Sequence, residues 1–236
     1  MPNWTTNALI VHKKDLHHIL NGDGQVDFNL MRPMPKSLLI GGVNFDTNRF
    51  AIDVYEGRTR RFPEDGPCLA HRLTYEVDGE RAVDISDPTL EDWAEFGRIL
   101  TENKRLYGFT DWYGWSNANW GTKWNACETE VFEATEERTN GKYRGGDWRL
   151  VVFLTAWDAP LGSMMGELAA KCSHPIRVEH VDEDDPERVY GMDGEEIPAE
   201  DSLFVRSYRD EDDNELTREE YEELRARGEE CWAYLV

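Results

Sequence analysis

The order of the predicted elements indicates an α+β fold with an antiparallel sheet and helices packed on one face. Hydrophobic alternation predicts strands, and apolar residues at helical spacing predict the helices between them. The elements that form the expected core are a strand at 4–11, a short helix at 16–20, strands at 130–135 and 148–155, a helix that begins at Pro160, and a strand at 175–181.

A long middle segment separates the first helix from the second strand of this core. Residues 50–55 alternate like a strand, and Asp78-Gly79 between two further apolar runs is a strong hairpin signal. A helix follows from Pro88, with Asp87 as its expected N-cap. Near the end of the chain we expect a strand at 203–208, a helix that Thr217 caps and a last strand at 231–236.

Negative charge is concentrated in the last quarter of the chain. The 236 residues include 48 acidic and 26 basic side chains, for a net charge of −22. Residues 179–236 hold 22 acidic and 6 basic residues, a net −16. Because phosphates would be repelled, direct nucleic-acid binding through this region is unfavourable. A solvated surface that keeps the protein soluble is the alternative explanation of the charge.

The composition indicates a cytoplasmic protein. No stretch approaches the about 20 apolar residues that span a bilayer, and the first residues lack the pattern of a secretion signal. The four cysteines, at 68, 127, 172 and 231, are far apart, which favours reduced thiols over a disulfide framework or a metal site. We expect no membrane association, no cofactor and no metal.

A series of short segments occurs in a recognisable order along the chain. In chain order they are 1–4 (MPNW) with Asn7, 28–29 (FN), 33–35 (PMP), 119–126 (NWGTKWNA), 153–157 (FLTAW) with Pro160, and 190–191 (YG) with 193–194 (DG). Together these segments resemble the YubB-type ferredoxin-like domain family of bacteriophage and plasmid proteins. Residues 157–160 (WDAP) depart from the family's usual Trp-Ser-Pro-Pro.

The resemblance implies a ferredoxin-like β-α-β-β-α-β core with a variable insertion after the first helix. On this basis one domain of residues 1–236 contains the core in 1–35 and 115–194, a large insertion in 36–110, and an acidic C-terminal extension in 195–236. The family supplies no general catalytic residues, so the resemblance assigns none here.

An aromatic segment at 111–126 contains four of the nine tryptophans. Exposed indoles beside polar side chains can stack on a base, a sugar or a partner's side chain. The candidate aromatic platform consists of Trp115, Asn119, Trp120, Lys123 and Trp124. The alternative is structural, with Trp120 and Trp124 anchoring an irregular entry into the sheet and the Asn and Thr side chains satisfying loop backbone groups.

Histidine and cysteine chemistry has weaker support. His12, His17 and His18 lie close in sequence, but a metal site would need Asp15 in register, so we expect surface histidines. Cys127 with His174 or His180 as a base is a candidate nucleophilic pair that nothing in the sequence brings together, and we expect an inert thiol.

Charge and family setting together predict a non-enzymatic interaction protein of a phage or mobile element, an inhibitor of host defence of the anti-CRISPR or anti-restriction type. Its partner would be a host protein with a basic, nucleic-acid-binding surface. The carboxylates expected to bind it are Asp182, Glu183, Asp184, Asp185, Asp210, Glu211, Asp212, Asp213, Glu219, Glu220 and Glu223. A nucleotide- or single-stranded RNA-binding module that uses the tryptophans is the first alternative, and an uncharacterised hydrolase is the second.

Overall fold

The structure, a computed structural model, describes residues 3–40, 45–60, 72–77, 81–139, 141–143, 146–204, 206–210, 214–228 and 231–235. The strands are β1 (Trp4–His12), β2 (Arg72–Val77), β3 (Arg81–Ser86), β4 (Cys127–Glu133), β5 (Trp148–Ala156), β6 (Arg177–Asp182), β7 (Val189–Gly191), β8 (Glu196–Ile197), β9 (Arg206–Asp210), β10 (Glu215–Leu216) and β11 (Cys231–Leu235). The α-helices are α1 (Phe45–Tyr55), α2 (Leu90–Tyr107), α3 (Trp112–Asn119), α4 (Gly162–Lys171) and α5 (Arg218–Arg227).

The chain forms two compact units. One contains residues 1–32 and 119–236, and the other contains residues 33–118. The predicted insertion at 36–110 falls inside the second unit.

A six-stranded antiparallel sheet organises the first unit. Its strand order is β4-β5-β1-β6-β7-β8. β1 pairs along its whole length with β5, with Trp4 opposite Ala156 and His12 opposite Trp148. On its other side β1 pairs with β6, with Thr5 opposite Asp182. β1 is therefore central. Because β5 and β6 both run antiparallel to β1, the start of β1 lies beside the ends of these two strands.

Side chains from alternate positions of the sheet enter different apolar clusters. Ala8 and Ile10 join Leu150, Val181 and Phe204 on one face. Leu9 and Val11 point to the opposite face, since successive residues of a strand alternate. This second face is closed in part by Phe28, whose ring packs edge-on against Phe153 with centroids 6.2 Å apart.

The end of the chain adds a small sheet of order β10-β9-β11 and the helix α5. Thr217 and Glu220 form the predicted capping box at the start of α5, and Gly228 ends the helix with a φ of 75°. Arg225 of α5 forms an ion pair of 2.7 Å with Glu187, in the loop between β6 and β7. The helix is thereby tied to that loop.

The second unit has its own core. The β2–β3 hairpin and the helices α1 and α2 enclose Ile40, Phe50, Leu73, Trp93 and Phe96, among others. α1 and α2 approach closely because Gly97 has no side chain at their contact. A Cβ placed there would lie 2.0 Å from the Ala51 carbonyl oxygen.

The α+β class with a mostly antiparallel sheet is confirmed. The strand predicted at 50–55 is wrong, since these residues form the end of α1. The short helix predicted at 16–20 is reduced to a 3-10 turn at Leu16–His18. Within the described residues, every helix is too short or too polar to cross a bilayer.

The start of α2 also differs from its prediction. Thr89, and not Asp87, is the N-cap, and it forms a capping box with Asp92. Asp87 precedes the helix with a φ of 50°, in the left-handed region.

Candidate functional site

Two of the five predicted platform residues are buried. Trp115 is 8% exposed and lies in the second unit, whereas Trp120 is 4% exposed and lies in the first. The indole Nε1 of Trp120 donates a hydrogen bond of 3.0 Å to the Arg32 carbonyl, and Arg32 in turn donates to the Asn119 carbonyl. Trp115 and Trp120 therefore offer no face to a ligand, and Trp120 and Asn119 anchor the chain before β4.

The polar residues that follow hold this loop together. The Thr122 hydroxyl donates to the Trp124 carbonyl at 2.6 Å. Asn125 accepts from the Phe28 backbone N–H and donates to Asp27. These bonds fit the structural interpretation of the aromatic segment, in which short polar side chains satisfy loop backbone groups.

Lys123 and Trp124 behave differently, because they face solvent together with Trp157. Trp124 is 39% exposed and Trp157 is 44% exposed. The Lys123 ammonium lies 4.6 Å from the centroid of the Trp124 ring and 4.5 Å from that of Trp157. The Lys123 ammonium therefore makes a cation–π contact with each of the two indole rings.

The position of Trp157 requires an unusual backbone. Its φ is 80°, a conformation that bulky side chains rarely adopt. The turn is fixed by two hydrogen bonds: the Trp157 N–H donates to the Asn3 carbonyl at 2.8 Å, and the Thr155 hydroxyl donates to the Asp158 carbonyl at 2.8 Å. Surrounding structure thus holds an exposed aromatic ring in a strained turn, as is common at binding sites.

The acidic loop consists of Asp182, the last residue of β6, and of Glu183, Asp184 and Asp185, which follow it. Each of the four carboxylates has a defined hydrogen-bond donor. The donors are the Thr5 hydroxyl to Asp182 (2.8 Å), the Trp4 N–H to Glu183 (2.8 Å), the Asn3 amide to Asp184 and the Tyr190 hydroxyl to Asp185 (2.9 Å). Because these donors are uncharged, they position the four carboxylates without neutralising them. Asp185 also lies 3.8 Å from an Arg188 nitrogen.

Trp4 joins the aromatic residues to the acidic loop. Its backbone exchanges hydrogen bonds with Glu183, accepting from the Glu183 N–H at 2.9 Å. Its ring lies 6.2 Å from the ring of Trp124. We call the resulting patch, made of Trp4, Lys123, Trp124, Trp157 and residues 182–185, the aromatic–acidic surface.

The other predicted carboxylates lie in the C-terminal part of the first unit. Glu219 and Glu223 are exposed on α5, and Glu220 belongs to the capping box of that helix. Asp210 is the last residue of β9 and is described by its backbone, whereas Glu211, Asp212 and Asp213 lie outside the described residues. The Glu187–Arg225 ion pair links α5 to the loop that contains residues 182–185.

Sequence reasoning missed two members of this surface. Trp4 begins β1 and Trp157 follows the last residue of β5. The sequence does not reveal that these positions and the end of β6 meet at the same end of the sheet. The sequence does show that an aspartate directly follows Trp157. Asp158 is exposed and adds to the negative charge beside the rings.

The expectation of surface histidines is wrong for His12, which is 7% exposed, whereas His17 is exposed and His18 is half-buried. Asp15, at 3% exposed, is buried as well. Asp15 points toward the loop after α4, where Ser173 donates to its carboxylate from both the backbone and the hydroxyl.

Cys127 fits the expectation of an inert thiol. Its sulfur lies 3.6 Å from the Leu154 carbonyl, to which it donates. Burial, followed by the charge of Glu128, raises the pKa of the thiol, so the reactive thiolate is disfavoured at neutral pH.

A cavity opens on the sheet face that carries Thr6 and Ala8. Most of its wall is apolar, and its charged lining residues are Glu130, Glu137 and Arg138. The Arg138 guanidinium stacks on the Phe132 ring at 4.2 Å from the ring centroid. The hydrolase hypothesis would place its chemistry here, and it stays a prediction.

Comparison of the chain with models of protein families, with curated proteins and with solved structures found no match. The resemblance to the YubB-type family therefore also stays a prediction.

Proposed function

We propose that the protein is a non-enzymatic interaction protein that binds a basic segment of a partner protein at the aromatic–acidic surface. One observation carries the proposal: Trp4 holds the acidic loop and the exposed Trp124 side by side. An arginine or lysine side chain from a partner would meet ring faces and carboxylates at the same place.

The energetics favour such a cation. A cation over an exposed indole contributes about 0.5–1 kcal/mol, and more when water is excluded. Carboxylates at the rim speed the encounter with a basic partner and select against acidic ones. Aromatic anchors beside charged groups are typical of the residues that dominate binding energy at protein interfaces.

The second candidate function is binding of single-stranded nucleic acid, and Lys123 is the observation that favours it. Two exposed rings and a lysine are the elements of a stacking platform. The neighbouring carboxylates at 182–185 oppose it, because they would repel the phosphates of any strand whose bases stack on Trp124 or Trp157. We therefore place a basic protein segment first.

The family resemblance supplies the biological setting of the proposal. In a phage or plasmid protein, the partner would be a host defence protein whose basic channel normally holds nucleic acid. The ferredoxin-like topology belongs to the same inference. It is supported by the position of β1 between β5 and β6 and by α4 as the connection from β5 to β6.

The proposal is tested with a short peptide of alternating arginine and glycine, labelled for fluorescence anisotropy. The variant Glu183→Gln/Asp184→Asn removes two charges and keeps both hydrogen-bond acceptors. We expect it to weaken peptide binding by about fivefold to tenfold at low salt. The matched control, Asp23→Asn/Glu91→Gln, removes the same charge from exposed residues elsewhere and should change the affinity little. Equal effects of the two variants would show general attraction to an acidic protein and contradict the proposal.

Lys123→Met separates the two candidate functions by the sign of its effect. If the rings receive a partner's arginine, removal of the resident ammonium relieves like-charge repulsion and strengthens peptide binding. If the rings receive a nucleotide base, the same variant loses a phosphate contact and weakens binding of a single-stranded oligonucleotide. Titration of both probes against the wild type and the variant, read by tryptophan fluorescence, distinguishes the outcomes.

A further inference from the structure

His12, Asp15 and His174 come together at the end of the sheet opposite to the aromatic–acidic surface. His12 is the last residue of β1, Asp15 lies in the turn that follows, and His174 lies between α4 and β6. One candidate ligand atom from each residue lies within 4.8 Å of the others. The sheet order therefore assembles this group from positions more than 150 residues apart in sequence.

The two imidazole rings are stacked. Their centroids are 3.8 Å apart and their planes differ by 15°. The edge of Trp148, the partner of His12 in the β1–β5 ladder, packs against both rings at 5.5 and 5.9 Å. Nδ1 of His12 accepts the Lys14 N–H at 3.2 Å, which leaves Nε2 of that ring for another partner.

The carboxylate is oriented by its neighbours. Ser173 donates to Asp15 from its backbone N–H at 3.1 Å and from its hydroxyl at 2.8 Å. The other carboxylate oxygen lies 3.3 Å from Nδ1 of His174. Hydrogen bonds of this kind orient the ligands at metal sites, where outer groups fix the direction of a carboxylate.

We propose that His12, Asp15 and His174 bind a divalent transition-metal ion of the zinc type. Two imidazole nitrogens and one carboxylate oxygen are a donor set that such ions favour, and three protein ligands are typical of zinc sites that keep a position for water. His174 provides the opening, because its side chain is 38% exposed whereas that of Asp15 is 5% exposed.

Metal binding requires a small rearrangement of the group. The Asp15 oxygen and Nδ1 of His174, 3.3 Å apart, already have roughly the separation of two ligands at zinc–ligand distances of about 2.0–2.2 Å, but the stacked rings must tilt so that both ring planes contain the ion. His174, the most exposed of the three, makes this rotation at the cost of the 2.9 Å contact between its Nδ1 and the Ser173 hydroxyl. His12 and Asp15 are held by the β1 ladder and by Ser173.

The test is calorimetric titration of the purified full chain with Zn²⁺, with visible absorption of bound Co²⁺ as a second measurement. We expect one ion per chain. The absorption spectrum of bound Co²⁺ should be that of an ion with a low coordination number. His174→Ala should abolish binding at this stoichiometry. Ser173→Ala, which removes only an orienting hydroxyl, should weaken the affinity by about tenfold.

The control is His17→Ala/His18→Ala, because these two rings also lie close together, with centroids 3.9 Å apart, but His17 is exposed and His18 half-buried, and the proposed metal site uses neither of them. The control variant should bind Zn²⁺ with the affinity of the wild type. Zn²⁺ should also raise its melting temperature as it does for the wild type, because an ion that binds only the folded state stabilises that state. Circular dichroism verifies that each variant is folded. Failure of the wild type to bind Zn²⁺, binding that survives His174→Ala, or loss of binding in the folded control would each overturn the proposal. Neither outcome bears on the arginine-peptide experiment, since the two sites share no residue.

Discussion

At the scale of single residues, Trp157 combines a strained backbone with an exposed ring. A tryptophan at a φ of 80° has unfavourable contacts between its Cβ and the backbone, at a cost of about 1–2 kcal/mol. The ring does not recover this energy by burial, since 44% of the residue is exposed. What the conformation achieves is a ring face directed at Lys123 beside the acidic loop.

This interpretation predicts an unusual order of stability among Trp157 variants. Trp157→Ala keeps the strained conformation and loses the contact with Lys123, whereas Trp157→Gly loses the same contact and relieves the strain. We expect the glycine variant to be more stable than the alanine variant by about 1 kcal/mol, as urea unfolding would measure. Both variants should lose affinity for the arginine peptide. A more stable alanine variant would mean that the turn is not strained at this residue.

Burial explains which site residues the sequence could identify. The cluster of tryptophans predicts a site in the segment 111–126, but nothing in the sequence distinguishes the buried Trp120 from the exposed Trp124. The difference depends on Arg32, whose carbonyl accepts the Trp120 N–H from a distant part of the chain. Likewise, the neighbours of Asp15 are Ser173 and His174 on the loop after α4, and no local sequence pattern predicts that they lie beside it.

At the scale of elements, the contact between α1 and α2 depends on Gly97. Because an added Cβ would lie 2.0 Å from a backbone oxygen of α1, the helices would have to separate. We expect Gly97→Ala to destabilise the protein by about 2–3 kcal/mol, a typical cost of overpacking. Urea unfolding measures the change.

Gly166 is the matched control for this prediction. It also lies within a helix, α4, but it is exposed and nothing lies within 4 Å of an added Cβ. Gly166→Ala should stabilise the protein by up to about 1 kcal/mol, because alanine is the better helix former. Similar effects of the two substitutions would contradict the described contact of α1 with α2.

The start of α2 predicts a dependence of stability on pH. Hydrogen bonds from the Thr89 side chain and backbone lower the pKa of the Asp92 carboxyl. A lowered pKa in the folded state stabilises the protein above the unfolded-state pKa, about 3.9, and this contribution disappears as the pH falls further. Asp92→Asn should therefore reduce stability at neutral pH by about 0.5 kcal/mol, with a difference that shrinks below about pH 4. Urea unfolding at several pH values checks this, and a difference that grows with acid would contradict it.

Element types were predicted best where the sequence carries a local signal. The capping box at Thr217 and Glu220, the hairpin partners β2 and β3, and the four strands β1, β4, β5 and β6 of the central sheet follow from nearby residues, whereas the short strands β7 and β8 have no prediction. Residues 50–55 were misassigned because a short apolar alternation also fits one face of a helix. There, packing of Phe50 against Trp93 accompanies the helical state, with ring centroids 5.3 Å apart.

At the scale of the whole molecule, the sequence predicts where the negative charge lies along the chain, and the described structure shows which residues lie next to it. The sequence places the excess of carboxylates in the last quarter of the chain. The fold brings the first of these segments, residues 182–185, beside the half-buried Trp4 and the exposed rings of Trp124 and Trp157, and an ion pair ties α5 to the same loop. The sequence alone does not predict that rings and carboxylates lie side by side, because this depends on which strand ends meet at the same end of the sheet.

The central claim is that rings and carboxylates act together on one cation. A double-mutant cycle of arginine-peptide affinity tests it, with Trp124→Ala, Glu183→Gln/Asp184→Asn and their combination compared with the wild type at low and high salt. The account predicts that the combined loss differs from the sum of the separate losses by at least about 0.5 kcal/mol, and that the carboxylate effect fades as salt screens it. Strictly additive losses, or peptide binding that ignores ionic strength, would contradict it.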